Sequence, residues 1–130
     1  MKFDLNDFRT DKDAKTNGVW IPFGGGAEMK IASFDSPAFT EAFRKATKPY
    51  QDLGRSVPED DQVQIMTDCM AAHIVLDWKG VYEGDNEVPH SFENVRRVLK
   101  ELEWVRDRVI AEARKLENFK AKQREDTEGN

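Results

Sequence analysis

The sequence contains a single cysteine, Cys69, among its 130 residues. One thiol cannot form a disulfide within the chain, and structural disulfides belong to oxidising compartments, so we expect a protein of the reducing cytoplasm. The sequence also lacks an apolar run approaching the roughly 18 residues that are needed to span a bilayer. Its start carries an acid, Asp4, where a secretory signal would need apolar residues. We therefore expect neither a membrane span nor a secretory leader.

An excess of positive charge is missing as well. The chain has 20 Lys and Arg residues against 25 Asp and Glu residues, which gives a formal net charge of −5. The basic residues alternate with acidic ones, whereas an interface for nucleic acid gathers basic residues on one face. The composition therefore argues against nucleic acid as a partner. The length suits one domain, whose core needs neither a metal nor a disulfide.

No set of residues has the spacing of a catalytic or metal site. Cys69 and His73 lie one helical turn apart, but only His90 and carboxylates remain to complete a tetrahedral metal site. As a thiol nucleophile and its base, the same pair would lie on an apolar helix face, which raises a thiol pKa rather than lowering it. We therefore expect no enzymatic activity, no metal and no other cofactor. The alternative is a small thiol or metal enzyme built on Cys69 and His73.

The pattern of apolar residues predicts an α+β fold that is predominantly α. Residues 18–32 favour a β-hairpin, and the three glycines at 24–26 fit its tip better than a phosphate-binding loop, because no helix and no Gly-Lys-Ser/Thr sequence follows. Helices are predicted near residues 37–48, 58–76 and 91–119, with a loop or short hairpin between the last two. The hairpin should pack on the three helices, of which the C-terminal one is long.

Local signals indicate where these helices begin and end. Ser36 precedes a proline and Ser91 follows a Pro-His pair, so each is an expected N-cap. Ser56 has a glutamate three residues later, which is the spacing of a capping box. Pro49 is expected to end the first helix, because proline disfavours helical geometry in the residue before it.

The predicted elements divide the chain into an N-terminal arm over residues 1–17, a single globular domain over 18–119 and a flexible polar tail over 120–130. The tail has almost no apolar side chains, so a mobile segment is expected there. The predicted core of the domain consists of Trp20, Phe39, Phe43, Met66, Met70, Val95, Val98 and Leu102.

The last predicted helix carries an apolar stripe from Val95 to Leu116 at steps of three and four residues. A helix of about 28 residues is about 42 Å long, whereas the two earlier helices would reach only about 18 and 27 Å. Its end should therefore overhang the domain, and exposed apolar residues of this kind usually mark an interaction surface. We predict that Ile110, Leu116 and Phe119 contact a partner protein, with Trp20 on the hairpin as a further candidate.

Several segments resemble tail assembly chaperones of long-tailed (siphovirus-type) bacteriophages and prophages. Residues 76–81 read Leu-Asp-Trp-Lys-Gly-Val, and residues 88–94 read Val-Pro-His-Ser-Phe-Glu-Asn after a turn-rich gap. Between residues 18 and 32 there are Gly-Val-Trp, Gly-Gly-Ala and Ile-Ala segments that the family also shows. His90 departs from the family pattern, which has an aromatic residue at that position.

The resemblance implies a mostly helical chaperone of the host cytoplasm that binds the tape measure protein, keeps it soluble during tail assembly and is absent from the mature virion. It also implies recruitment of the tail tube protein through a longer form made by translational frameshift. The alternative is a structural virion protein, such as a connector or a tail-completion component. A second copy of the chain, forming a homo-oligomer, is a further candidate partner for the apolar stripe.

Overall fold

The computed structural model describes residues 1–121. A short 3₁₀ helix (Leu5–Phe8) and α1 (Lys12–Asn17) precede the hairpin strands β1 (Val19–Gly24) and β2 (Ala27–Ile31), and α2 (Pro37–Asp52) and α3 (Glu59–His73) follow. The chain continues with β3 (Val75–Lys79), β4 (Tyr82–Glu83), β5 (Asn86–Glu87), α4 (Phe92–Glu101), α5 (Glu103–Arg114) and α6 (Leu116–Phe119). The fold is α+β and predominantly α with an N-terminal hairpin, so the predicted class is confirmed.

The hairpin belongs to a three-stranded antiparallel sheet with the order β1-β2-β3. Ile21, Met29 and Trp78 lie side by side across the three strands and are all buried on the inner face. Trp20 is on the opposite face, because successive residues of a strand alternate. Its side chain is 39% exposed, and Nζ of Lys79 lies 4.3 Å from the ring centroid. The prediction of Trp20 as a core residue was therefore wrong.

Strand β3 is absent from the sequence prediction, which continued the second helix to residue 76. Instead α3 ends at His73, and the chain from Val75 onward pairs with β2. Ile74 and Val75 are almost completely buried at this change of direction. A short apolar run fits a helix or a buried strand equally well, so pairing with β2 decided the outcome. The segment after β3 forms the short β4–β5 hairpin, one of the two predicted alternatives.

The long C-terminal helix predicted over residues 91–119 consists of three helices. The backbone leaves helical geometry at Leu102 (φ −115°, ψ 89°) and again at Lys115 (φ −80°, ψ 114°). Phe119 beyond the second break is only 3% exposed, so the expected overhang is wrong. Leu102 is 50% exposed at the first break and is not the core residue that was predicted. Within residues 1–121, none of the helices combines the length and apolar character that a membrane span requires.

Of the six other predicted core residues, four are buried and two are half-buried. Phe39, Met70, Val95 and Val98 are buried, whereas Phe43 and Met66 are half-buried and pack against the core. The Phe39 ring stacks on that of Phe43 with a centroid distance of 6.0 Å. The core therefore lies between the inner face of the sheet and helices α2 to α5.

Ser36 and Ser91 are the N-cap residues of α2 and α4, as predicted, but only Ser91 makes a capping hydrogen bond with its side chain. Ser91 accepts a hydrogen bond from the backbone N–H of Asn94 (3.0 Å) at the start of α4, as predicted. Ser36 precedes α2, but its hydroxyl is buried with no hydrogen-bond partner among the described residues. No side chain caps α3, which begins after a proline, so the expected capping box at Ser56 does not form. Pro49 lies inside α2 rather than ending it, and the helix continues for three residues beyond it without the backbone hydrogen bond that an N–H at position 49 would donate.

The N-terminal arm is hydrogen-bonded to the end of the described chain. The backbone N–H of Asp11 donates to the carbonyl of Phe119 (2.8 Å), and that of Ala121 donates to the carbonyl of Arg9 (2.9 Å). The predicted boundary between the domain and the tail, at residue 119, thus lies within the segment that is hydrogen-bonded to the arm. The rest of the predicted tail, residues 122–130, lies outside the described part of the chain.

Candidate protein-interaction surface

A groove of about 430 Å³ lies where the β1–β2 hairpin tip, the β4–β5 hairpin and the break between α4 and α5 meet. We call it the tip groove. Most of its lining is apolar and includes Phe23, Val81, Tyr82, Leu102, Trp104 and Val105. Its size lies within the range of protein clefts that hold ligands or side chains of a partner.

Gly80 lets the chain at the start of the β4–β5 hairpin pack against the tip of the β1–β2 hairpin, and together they form one wall of the tip groove. Its φ is +72°, and a Cβ at this position would lie 2.7 Å from the carbonyl oxygen of Gly26. Only glycine allows this conformation and this approach without strain. The base of the β4–β5 hairpin is closed by a 2.8 Å hydrogen bond from the Val88 N–H to the Val81 carbonyl. The indole N–H of Trp78 donates to the Val88 carbonyl (2.8 Å), which ties this hairpin to the sheet.

Helix α5 forms the other wall and is joined to the hairpin tip by Arg108. Nη2 of Arg108 donates to the carbonyl of Pro22 (2.9 Å), and the guanidinium carbon lies 4.5 Å from the Phe23 ring centroid. The break at Leu102 starts α5 in a new direction, and Trp104 in its first turn is 69% exposed. Tyr82 on the facing hairpin is 60% exposed. The walls are thus held firmly while large apolar side chains face solvent.

The rim of the tip groove is charged. Nη2 of Arg97 lies 3.4 Å from the Glu83 carboxylate, and Nη1 lies 3.6 Å from that of Glu101. Asp85 and Glu87 on the same hairpin are exposed and add further negative charge. An apolar centre surrounded by a polar rim is the usual anatomy of a protein-protein interface.

A second cleft of about 540 Å³ lies between α2, α3 and α5, and we call it the helical cleft. Phe43, Met66 and Ile110 contribute apolar surface to it. The phenol of Tyr50 donates to the carboxylate of Asp61 (2.9 Å), which connects the end of α2 to the first turn of α3. This hydrogen bond to a carboxylate also raises the pKa of Tyr50.

The structure does not gather the predicted partner residues into one surface. Ile110 lines the helical cleft, whereas Leu116 and Phe119 belong to α6 and line neither cleft. Phe119 is buried and Leu116 is half-buried. Trp20 lies on the outer face of the sheet among charged residues. Contact of these four residues with a partner stays a prediction, but the overhang that motivated the choice of the α6 residues is absent.

The exposed residues of the tip groove were missed by the sequence prediction. Leu102 was assigned to the core, and Tyr82 and Trp104 were not considered. One signal was available, because Trp104 falls off the apolar stripe that passes through Leu102 and Val105. A large aromatic residue on the polar side of a predicted helix is a candidate for contact with a partner.

Cys69, His73 and His90 are the residues that the sequence offered as metal ligands or as a thiol nucleophile and its base. Cys69 is buried, and burial, with a smaller contribution from the charge of Asp68, raises the pKa of its thiol. His73 is half-buried near the end of α3. Nε2 of His90 lies 2.9 Å from the carbonyl oxygen of Val75. Residues 1–121 include no group of three or more His, Cys, Asp or Glu side chains placed to hold a metal ion.

The fold and the two clefts thus describe a small α+β protein with apolar surfaces of the kind that bind other proteins. Residues 34–130, which are 97 of the 130 residues, match the family described as YdaY prophage protein. The chain belongs to this family and is therefore a phage or prophage protein. The match includes every element from α2 onward but not the β1–β2 hairpin. No protein of curated function and no solved structure matches the chain.

Proposed function

We propose that this protein is a tail assembly chaperone, without enzymatic activity, that binds the tape measure protein of its phage in the host cytoplasm. It keeps this client soluble during tail assembly and is not retained in the mature virion. The observation that carries the proposal is the exposure of Tyr82, Leu102 and Trp104 around the tip groove. The family match supports a phage role, and the Leu-Asp-Trp and Val-Pro-His-Ser segments resemble those of tail assembly chaperones.

The tip groove suits an amphipathic helix as its ligand. A long helical client exposes an apolar stripe before it is assembled, and such a stripe lies in an apolar groove through side chains spaced by three and four residues. Burying one large apolar side chain contributes about 1.5–3 kcal/mol. A groove of about 430 Å³ accepts few such side chains, so binding is reversible and the client can pass to the growing tail. A longer frameshifted form that recruits the tail tube protein would add the second partner of this scheme.

Co-expression with the tape measure protein tests the proposal directly. The measured quantities are the soluble fraction of the client and its recovery with the tagged chaperone. We expect the double variant Tyr82→Ser/Trp104→Ser to keep the thermal stability of the wild-type chain but to recover much less client. The matched control is Phe3→Ser/Leu53→Ser, because these side chains are 77% and 67% exposed and line neither cleft.

Two results would contradict the proposal. One is a client that stays insoluble with the wild-type chain. The other is equal client recovery with the wild-type chain and with the tip-groove variant, since the exposed aromatic residues would then have no part in binding.

A further inference from the structure

The helical cleft has an uneven distribution of charge. Its lining includes two arginines, Arg55 and Arg106, and no Asp or Glu among the described residues. The whole chain, in contrast, has 25 acidic residues against 20 basic ones. Both charged groups of the described lining are therefore basic, which favours a ligand that carries negative charge.

Most other polar groups of the cleft are already hydrogen-bonded within the protein. The hydroxyl of Thr47 donates to the carbonyl of Phe43 (3.0 Å), and that of Thr67 donates to the carbonyl of Val63 (2.7 Å). The side-chain amide of Gln62 donates to a backbone carbonyl as well. The guanidinium groups are therefore the main donors that the cleft offers to a ligand.

Arg106 already has two weak acidic neighbours. Its guanidinium lies 3.6 Å from the Glu103 carboxylate and 4.0 Å from that of Asp107, and these side chains are 81% and 71% exposed. The Arg106 side chain is 20% exposed, but both carboxylates face solvent, where an ion pair contributes little, so a ligand carboxylate in the cleft can replace them. Two parallel hydrogen bonds from a guanidinium to one carboxylate form a stronger and more specific contact.

We propose that the helical cleft binds an amphipathic helix of a partner protein in which Asp or Glu residues flank the apolar side chains. The apolar side chains contact Phe43, Met66 and Ile110, and the carboxylates pair with Arg55 and Arg106. The rim of the tip groove instead has exposed acidic residues, which lie on the β4–β5 hairpin. The two clefts therefore select helices of different charge. This inference goes beyond the proposed function, because it requires neither the tape measure protein nor the tip groove.

Two synthetic helical peptides test the charge preference. Both have about 18 residues, or five turns, with Leu at three- and four-residue steps, and Glu or Lys fills the flanking positions. Fluorescence anisotropy at low salt measures the affinity of each labelled peptide for the full chain carrying Tyr82→Ser/Trp104→Ser, because the tip groove of the wild-type chain could bind the Lys peptide. We expect the Glu peptide to bind at least about tenfold more tightly than the Lys peptide, the effect of one charged hydrogen bond. Equal affinities, or tighter binding of the Lys peptide, would overturn the proposal.

Variants then locate the binding site. Arg55→Gln/Arg106→Gln should weaken the Glu peptide about tenfold. Arg9→Gln/Arg44→Gln, which changes two arginines outside the cleft, should leave it unchanged. Val63 lines the cleft and is 46% exposed, so Val63→Glu should fold normally, weaken the Glu peptide and strengthen the Lys peptide. An unchanged preference in Val63→Glu or in the Arg55/Arg106 variant would exclude this cleft.

The tip-groove variant Tyr82→Ser/Trp104→Ser separates this inference from the proposed function. It should bind the Glu peptide as the wild-type chain does, even where it fails to recover the client. If it loses the Glu peptide, the peptide occupies the tip groove and the inference about the helical cleft is wrong.

Discussion

The side-chain amide of Asn118 donates two hydrogen bonds to Glu112, one to its backbone carbonyl and one to its carboxylate, each 2.8 Å long. Nε of Arg108 donates to the other carboxylate oxygen (3.0 Å). The two bonds from Asn118 cross the break at Lys115 and hold α6 against α5, which explains why the chain does not overhang. Burial by itself would raise the pKa of Glu112, but the hydrogen bonds from Asn118 and Arg108 and the charge of Arg108 outweigh it. The pKa therefore lies below its ordinary value of 4.5.

Glu112→Gln should make the stability of the protein less dependent on pH. A carboxyl whose pKa is lowered by folding contributes stability above its unfolded pKa and loses it as pH falls through the folded pKa. We expect the variant to be less stable than the wild-type chain by about 1 kcal/mol near neutral pH, with the difference shrinking below pH 4.5. Urea unfolding across this pH range measures it. Glu117→Gln is the exposed control, and a difference that does not change with pH would contradict the assignment.

Phe119→Ala should destabilise the domain, since Phe119 is 3% exposed. Loss of a buried phenylalanine side chain costs about 3–5 kcal/mol, because both its transfer energy and its packing are lost. Leu116→Ala should cost clearly less, because Leu116 is only half-buried. Chemical denaturation of the two variants makes the comparison. A cost below about 1 kcal/mol for Phe119→Ala would restore the overhanging end that the sequence suggested.

Gly80→Ala should lower the stability of the protein more than Gly84→Ala does. Both glycines have positive φ, +72° and +63°, so alanine introduces backbone strain of about 1–2 kcal/mol at either position. Only at Gly80 would the new methyl group also meet a backbone oxygen, that of Gly26 at 2.7 Å, whereas nothing lies within 4 Å at Gly84. We expect an additional loss of about 1–3 kcal/mol for Gly80→Ala, measured by thermal unfolding. Equal losses would show that the two hairpins do not pack as closely as described.

Purified phage particles should lack this protein, although the lysate that produced them contains it. The reason is that the proposed chaperone would act during tail assembly and would not be retained in the mature virion. Quantitative mass spectrometry of both samples measures the ratio to a known tail protein. A fixed copy number in the particles would favour the alternative of a structural virion component.

Much of the architecture has a local cause and could be predicted. Three glycines between a segment rich in β-branched and aromatic residues and one in which apolar and charged residues alternate determine the β1–β2 hairpin. Pro22 cannot donate to a neighbouring strand, and β1 is indeed at an edge of the sheet. Ser91 caps α4 through a contact only three residues away. Of the four predicted partner residues, Ile110 lines the helical cleft, and none of the four lines the tip groove.

The tertiary structure alone decided how the C-terminal third is folded. The apolar spacing continues through Leu102 and Lys115, and neither break contains a glycine or proline, so local spacing predicts one long helix there. Helix α4 packs on α3, α5 on β2 and α6 on α1, so one straight helix could not make all three contacts. The hydrogen bonds of Asn118 stabilise the break at Lys115. The sequence by itself determined the fold class and the hairpin, because their causes are local. The breaks, strand β3 and both clefts depend on contacts between residues distant in the chain, which periodicity does not encode.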